Sequence, residues 1–237
     1  MKYWYDRVEE AKEKNYSKSK IIKGDPKTEG DEIYFNLFKK IPLNSGSILD
    51  LGCGWGRFFD YFSSIDLKIF GSDISIEMLR SRNLKSKLIK KNVHIPTVAE
   101  AEKIPYRSNI FDNVVCLGVF DATFQNLTLS EISRVLKIGG KAFVTGKNDD
   151  YFFNDNDAFN AELGAYNKGH PNYFTSLSKM IKQLELHKHK ILDYFLFPRR
   201  GDFSKFKYHK NVKRKFYEYI IIFEKTNDIL PKFFSVM

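Results

Sequence analysis

The sequence predicts an α/β fold in which a parallel sheet carries helices on both faces. Two observations lead there. From residue 46 onward, short apolar runs alternate with helix-length amphipathic segments joined by short turns, the signature of successive strand–helix–strand units. One run, Asn-Val-Val-Cys-Leu-Gly at 113–118, is almost continuously apolar, as a strand buried on both faces requires. The chain has 237 residues, 43% hydrophobic and 16% aromatic, which is enough for a sizeable core in one large domain or a domain plus an insertion.

The first 27 residues are polar and aromatic, with basic runs at Lys12-Glu13-Lys14 and Lys18-Ser19-Lys20, and Gly24-Asp25-Pro26 turns the chain into a helix. Thr28 with Asp31 resembles a capping box, Ile33, Tyr34, Leu37, Phe38 and Ile41 form the apolar stripe, and Pro42 ends it. Residues 47–51 (Ser-Ile-Leu-Asp-Leu) read as the first strand, followed by a Gly-rich turn and a helix carrying Phe58, Phe59, Tyr61 and Phe62. A second strand at 67–70 runs out through Gly71-Ser72-Asp73, and Ser75 caps a helix containing Met78 and Leu79. A third strand lies near 97–100 and the fourth at 113–118. Leu129, Ile132 and Leu136 mark a helix broken by Gly139-Gly140, and 141–145 return as the fifth strand. Residues 147–174 read as irregular. Leu177, Met180, Ile181 and Leu184 then make a helical face, and 191–197 and 216–223 read as two more strands. Their link, 198–215, is long for a hairpin loop and is read as functional or mobile. No internal repeat is visible.

Several classes drop out. The longest apolar stretches, such as 219–223, are far short of the roughly 20 residues of a membrane helix. The opening Met1-Lys2-Tyr3-Trp4-Tyr5-Asp6 lacks the basic end and aliphatic run of a secretion signal. Two cysteines make no disulfide scaffold, so the expected setting is reducing and cytoplasmic. No His/Cys/Asp spacing resembles a metal site.

The chemistry is concentrated in Ile48-Leu49-Asp50-Leu51-Gly52-Cys53-Gly54-Trp55-Gly56-Arg57-Phe58. A strand runs into glycines at alternate positions and then into a helix, so the backbone can turn tightly and approach a ligand. Asp73 follows Gly54 by 19 residues at the end of the second strand, where a carboxylate can accept both hydroxyl protons of a ribose. Together they predict a nucleoside-containing cofactor across the carboxyl ends of the strands. The spacing is not the Gly-x-Gly-x-x-Gly of pyrophosphate binders. Asp50 beside the loop is unwelcome to a pyrophosphate but suits a ligand carrying an ammonium and a sulfonium.

On these residues the chain resembles the class I S-adenosylmethionine-dependent methyltransferases, especially the small-molecule group typified by the quinone-biosynthesis enzymes. Further matches are Gly71-Ser72-Asp73-Ile74-Ser75 with Met78-Leu79, residues 99–106 (Ala-Glu-Ala-Glu-Lys-Ile-Pro-Tyr), 111–115 (Phe-Asp-Asn-Val-Val) and 131–140 (Glu-Ile-Ser-Arg-Val-Leu-Lys-Ile-Gly-Gly). The resemblance covers the core motifs at 47–146. It implies a Rossmann-like, doubly wound, seven-stranded and mostly parallel sheet with an antiparallel C-terminal strand. It also implies an N-terminal helical lid or cap over 1–42 and a methyltransferase domain over 43–237, with an acceptor-region insertion at about 147–174 and C-terminal strands within 188–225. The implied cofactor is S-adenosyl-L-methionine, leaving as S-adenosyl-L-homocysteine. The backbone of Gly52, Cys53 and Gly54 would contact its methionine part, Gly56 would complete the loop, and Asp50 would order its amino group. Asp73 would bind the ribose and Ile74 would pack on the adenine. Glu100, where the family commonly has Asp, would take the exocyclic amine. Ala101 would offer its N–H to the adenine ring, and Leu117 a carbonyl near the cofactor amine.

Plainer readings stand beside these. Asp73 also suits a helix N-terminus by its charge alone. Cys53 and Cys116 read as small packing residues. Cys116 lacks a preceding proline, and Leu117-Gly118-Val119-Phe120 is not the Asp/Asn-Pro-Pro-aromatic clamp of DNA amine methylation. His187 and His189 alternate with lysines and read as solvated. His170, in Gly169-His170-Pro171-Asn172-Tyr173, is either a general base for the acceptor or an exposed loop histidine. Tyr3, Trp4 and Tyr5 either line a lid or staple onto the core.

Three functions follow for testing: a methyltransferase on a small metabolite, a sugar or other anionic molecule held by Arg199 and Arg200; an RNA methyltransferase using interleaved basic and aromatic residues; and a non-catalytic cofactor binder. The net charge of +10 is localised. Residues 179–215 hold 12 basic and 3 acidic residues, a net +9, which leaves +1 for the other 200. The oligomeric state is not legible.

Overall fold

β1 (Ser47–Leu51) shows how the sequence builds this molecule. Ile48, Leu49 and Leu51 are all buried, yet they point alternately to two different cores. The computed structural model describes residues 31–80, 85 and 88–228. Around β1 lie α1 (Asp31–Lys40), α2 (Phe59–Ser64), β2 (Lys68–Asp73), α3 (Ile76–Leu79), β3 (Thr97–Val98), β4 (Phe111–Cys116), α4 (Gln125–Val135), β5 (Leu136–Lys147), α5 (Asn156–Asn167), α6 (Leu177–Leu186), β6 (His189–Phe197) and β7 (Glu218–Lys225). The seven strands run in the order β3-β2-β1-β4-β5-β7-β6. β1 to β5 pair in parallel, and β7 is antiparallel to both β5 and β6.

Strand alternation divides the interior in two. Leu49, Val114, Val144 and Ile221 join Leu129 and Ile132 of α4 and Met180 and Leu184 of α6. Ile48, Val115, Phe143 and Ile220 face the other way, onto Ile33, Leu37 and Phe38 of α1 and Phe59 and Phe62 of α2. α1 therefore contributes to the same core as the first strand, with Phe38 edge-on to Phe143 at 5.3 Å. Expected roles for Tyr3, Tyr5 and the rest of 1–30 lie outside the described residues.

Three expectations are corrected. The helix expected to reach Gly139-Gly140 ends at Val135, because Leu136 already pairs with Phe111 and begins β5. His189 is not solvated: it is 3% exposed, with Nε2 2.5 Å from the Ser133 hydroxyl. Residues 147–174 are not irregular, because 156–167 form α5. Its inner face carries Ala158 and Glu162, while Phe159, Leu163 and Tyr166 point outward, so no apolar stripe announces it. Asp155 caps it, accepting from the Ala158 N–H at 3.1 Å. The link 198–215 is folded down: the rings of Phe203, Phe206 and Tyr208 pack tilted or edge-on against Phe195 and Phe197, and residue 209 bridges to Leu196, covering the outer edge of β6.

Candidate active site

The carboxyl ends of β1, β2 and β4 open into a cleft of about 1150 Å³. Asp50, Gly52, Cys53, Gly54, Asp73, Ile74, Glu100, Ala101 and Leu117 all line it, although they come from four separate segments. Gly56 does not. Its φ of +69° serves the turn into α2, with its N–H donating to the Cys53 carbonyl at 2.8 Å.

The glycine loop is held by its own backbone. The N–H groups of Gly52 and Cys53 both donate to the Ser72 carbonyl, at 2.7 and 3.0 Å, and that of Gly54 donates to Asp73 Oδ2 at 2.8 Å. Gly52 sits at φ +78°, and a Cβ there would lie 2.3 Å from Val119 Cγ2. Asp73 also accepts the Ser75 N–H on Oδ1 at 2.8 Å, so the acid orders both the loop and the start of α3. Burial pushes its carboxyl up from the ordinary value, against the pull of those two N–H groups. Burial also pushes the Cys53 thiol well up, helped by the Asp50 and Asp73 charges, which leaves it an apolar packing group and no nucleophile. Asp50 is 3% exposed at the end of β1.

The wall formed by 99–106 is fixed from behind. Arg134 makes two hydrogen bonds to Glu131, at 2.6 and 2.7 Å, and donates to the carbonyls of Tyr106 and Ile104 at 2.7 and 2.9 Å. Glu131 in turn accepts the Ile104 N–H at 2.7 Å. Glu102 accepts the Phe124 N–H at 2.7 Å, joining this wall to the start of α4. Glu131 and Arg134 carried only motif value in the sequence, and folding gives them a positioning task.

The cleft also has an apolar and aromatic lining. Val119, Phe124, Leu127, Pro171 and Tyr173 line it, with Phe124 stacked on Tyr173 at 5.9 Å. Phe124 and Leu127 remain about half exposed at its mouth. Residues 167–173 are carried there by α5, which a buried charge cluster pins to the sheet. Lys147 Nζ lies 3.1 Å from Asp121, 3.0 Å from Glu162 and 3.0 Å from Asn172 Oδ1. Burial disfavours the ammonium, but Asp121 and Glu162 outweigh it and raise the Lys147 pKa. The Tyr217 hydroxyl donates to Glu162 as well.

Other expected residues fall elsewhere. His170 is not on the cleft surface, although its neighbours Gly169 and Pro171 are; its N–H closes the end of α5 on the Ala165 carbonyl at 3.0 Å. Arg199 and Arg200 are also off the cleft. The Arg199 guanidinium lies over Phe152 at 4.8 Å and bonds Asn154, and the Arg200 N–H donates to Asp155 at 2.8 Å. Asn154 and Asp155, at the start of α5, thus hold the two residues away from the cleft. Trp55, Arg57, Met78, Phe124 and Tyr173 are cleft residues to which no site role is assigned from the sequence. Trp55 and Arg57 sit within the glycine motif itself. Among the described residues no cluster of His, Cys, Asp and Glu could hold a metal, and no helix is long and apolar enough to cross a membrane.

Comparison with known proteins bears on the family. Residues 49–144 match a family model described as a methyltransferase domain. An uncharacterized protein of Methanocaldococcus jannaschii, MJ0638, is 30% identical over 173 residues, covering 69% of this chain and 70% of that protein. A ubiquinone/menaquinone biosynthesis C-methyltransferase of Chromobacterium violaceum is 35% identical over 102 residues, 42% of this chain; the match spans 39% of that relative. The solved phosphoethanolamine N-methyltransferase 2 of Haemonchus contortus, in complex with S-adenosyl-L-methionine, shares the fold at a TM-score of 0.62 and 16% identity, over 83% of this chain and 53% of that one. The acidic, glycine-framed cleft suits a cofactor bearing an ammonium and a sulfonium, and the chain belongs to the class I S-adenosylmethionine-dependent methyltransferases.

Proposed function

We propose that this enzyme transfers a methyl group to an O or N atom of a small-molecule acceptor bound against the apolar and aromatic lining of the cleft. The observation that carries the reading is one cleft lined both by acids (Asp50, Asp73, Glu100) and by an apolar-aromatic set (Phe124, Leu127, Tyr173). S-adenosylmethionine supplies an activated methyl group that leaves sulfur by in-line displacement. The protein's share is proximity and orientation, which can contribute about 7–11 kcal/mol.

In this reading Asp50 orders the cofactor amine, beside the Leu117 carbonyl and the backbone of Gly52, Cys53 and Gly54. Asp73 takes the ribose hydroxyls, and Ile74, Glu100 and Ala101 frame the adenine. Of the lid expected over 1–42, α1 is part of the core and residues 1–30 lie outside the described residues. His170 is the candidate base for a hydroxyl acceptor, on the loop whose Gly169 and Pro171 line the cleft. Arg199 and Arg200 are not carried forward as acceptor ligands, given their place at the start of α5. An RNA acceptor is the competing reading, supported by the exposed Lys205, Lys207, Lys210 and Lys213 on the C-terminal basic segment. Three of its lysines pair with acids (Lys207–Asp202, Lys210–Asp193 and Lys215–Asp150), which lessens the field available to a phosphate backbone.

Incubation with methyl-labelled S-adenosylmethionine and separated small-molecule and RNA fractions tests the proposal. Label entering a small molecule supports it. Label in RNA, with binding that weakens steeply as salt rises, replaces it with the competing reading. Cofactor binding with label in neither fraction leaves a non-catalytic binder.

A further inference from the structure

We propose that the methyl acceptor is an amine, held at Glu102 beside the stacked rings of Phe124 and Tyr173; the assignment rests on the small-molecule reading of this cleft. Three cleft residues from separate segments meet at this point. Glu102 Oε1 accepts the Phe124 N–H at 2.7 Å, and the Phe124 and Tyr173 rings stack with centroids 5.9 Å apart and planes 28° apart. The pair is fixed through its backbone: the Tyr173 N–H donates to the Asp121 carbonyl at 2.6 Å, and the Tyr173 carbonyl accepts from Gln125 Nε2 at 2.9 Å. Phe124 nevertheless stays 54% exposed, an apolar ring that the fold holds in place without burying.

Bracing the start of α4 occupies one Glu102 oxygen. Among the described residues Oε2 makes no hydrogen bond, so a carboxylate oxygen is left beside the ring pair. A carboxylate next to aromatic faces is matched by a cation that can donate N–H, because both attract positive charge. The rest of the lining points the same way. Four acids line the cleft against two cations, Arg57 and Lys168, and both cations already interact within the chain. Asp50, Asp73 and Glu100 serve the cofactor in the proposed placement, which leaves Glu102 for the acceptor. Charge movement in the reaction gives this carboxylate a further task. The amine sheds one proton to solvent, its lone pair forms the N–C bond, and the C–S bond breaks with its electron pair staying on sulfur. Positive charge thus passes from sulfur to nitrogen, and a carboxylate with aromatic faces already in place stabilises it as it arrives.

Calorimetry on the full chain saturated with S-adenosylhomocysteine tests this with 2-phenylethylamine, 2-phenylethanol and 3-phenylpropionate, which share a phenyl group and differ in charge. The amine is expected to bind about tenfold tighter than either of the others. Glu102→Gln keeps an oxygen for the Phe124 N–H and removes only the charge. It should weaken the amine by about tenfold while leaving the alcohol and S-adenosylhomocysteine within about twofold. Phe124→Leu leaves the backbone bond to Glu102 and should cut the preference for amine over alcohol by about threefold. A wild-type preference for the alcohol or the anion, no binding of the amine, or an amine preference unchanged in both variants overturns the proposal. So does an equal loss of amine and alcohol in Glu102→Gln, which would make the acid a brace alone. Methyl-labelled S-adenosylmethionine separates this from the reading beneath it. Label entering 2-phenylethanol and not the amine refutes the amine assignment alone, whereas label in RNA only, or wild-type protein that binds no S-adenosylhomocysteine, sinks the reading of the cleft itself.

Discussion

Asp73→Ala should weaken cofactor binding by about a hundredfold. The carboxylate would accept two ribose hydroxyls, and a hydrogen bond to a charged group contributes about 1.5–3 kcal/mol. Its two oxygens already accept the Gly54 and Ser75 N–H groups at 2.8 Å, so the lower end applies, about 3 kcal/mol for the pair. The same substitution releases the Gly54 turn and should cost roughly 2 kcal/mol of stability, or about 4–8 °C in melting temperature for a chain of this size. Asp73→Asn keeps one acceptor oxygen and should fall between. Calorimetry with S-adenosylhomocysteine and its 2′-deoxy analogue isolates the ribose contribution. Loss of the 2′-hydroxyl should weaken wild-type binding and make little difference in Asp73→Ala. If the deoxy penalty is the same in both proteins, the acid does not touch the ribose and only braces the loop. Burial holds the Asp73 carboxyl above its ordinary value, so affinity should fall as pH drops toward that raised value and the carboxylate is lost.

Three further outcomes are expected. Lys147→Met leaves Asp121 and Glu162 facing each other without their cation; a loss of about 3–5 kcal/mol by denaturant titration is expected, and a loss under 1 kcal/mol would show that α5 is held by other contacts. His189 is kept neutral by burial, with its pKa lowered to about 4 from 6.5. The unfolded chain therefore binds the extra proton first, and stability present above pH 6.5 should be lost as pH falls toward 4, by at most about 3 kcal/mol. His189→Gln should flatten that slope, and an unchanged slope assigns it to other groups. Gly52→Ala drives a Cβ into Val119 from a left-handed backbone, whereas Gly54→Ala at φ +51° meets nothing within 4 Å. The first should lose markedly more thermal stability than the second, and equal losses would mean that Val119 yields freely.

The sequence was informative where function is written in consecutive residues. Strand, glycine turn and following helix are local, so Leu49 to Phe58 announced both the first βα unit and the cofactor edge. The 19-residue step from Gly54 to Asp73 placed the second acid because one helix and one strand have a nearly fixed length. The C-terminal β-pair was equally legible, since Tyr219 to Phe223 can only be a buried strand. Legibility failed for α5, whose outward Phe159, Leu163 and Tyr166 invert the usual pattern, and for His189, whose flanking lysines suggested solvent. It failed for Arg199 and Arg200 because a basic pair in sequence says nothing about which distant groups, here Asn154, Phe152 and Asp155, it will fold against.

By itself, then, the sequence determined the part of the cleft proposed for the cofactor: the sheet that opens into it, the glycine loop and the acids at the ends of β1 and β2. Those features depend on residues close along the chain, whose spacing backbone geometry converts directly into position. The tertiary structure decided the rest. Lys147 meets Glu162 across 15 residues, Glu131 braces a wall 27 residues before it, and Tyr34 supports Arg57 from outside the motif altogether. Such contacts form between residues that only packing brings together, and they fix the walls of the cleft.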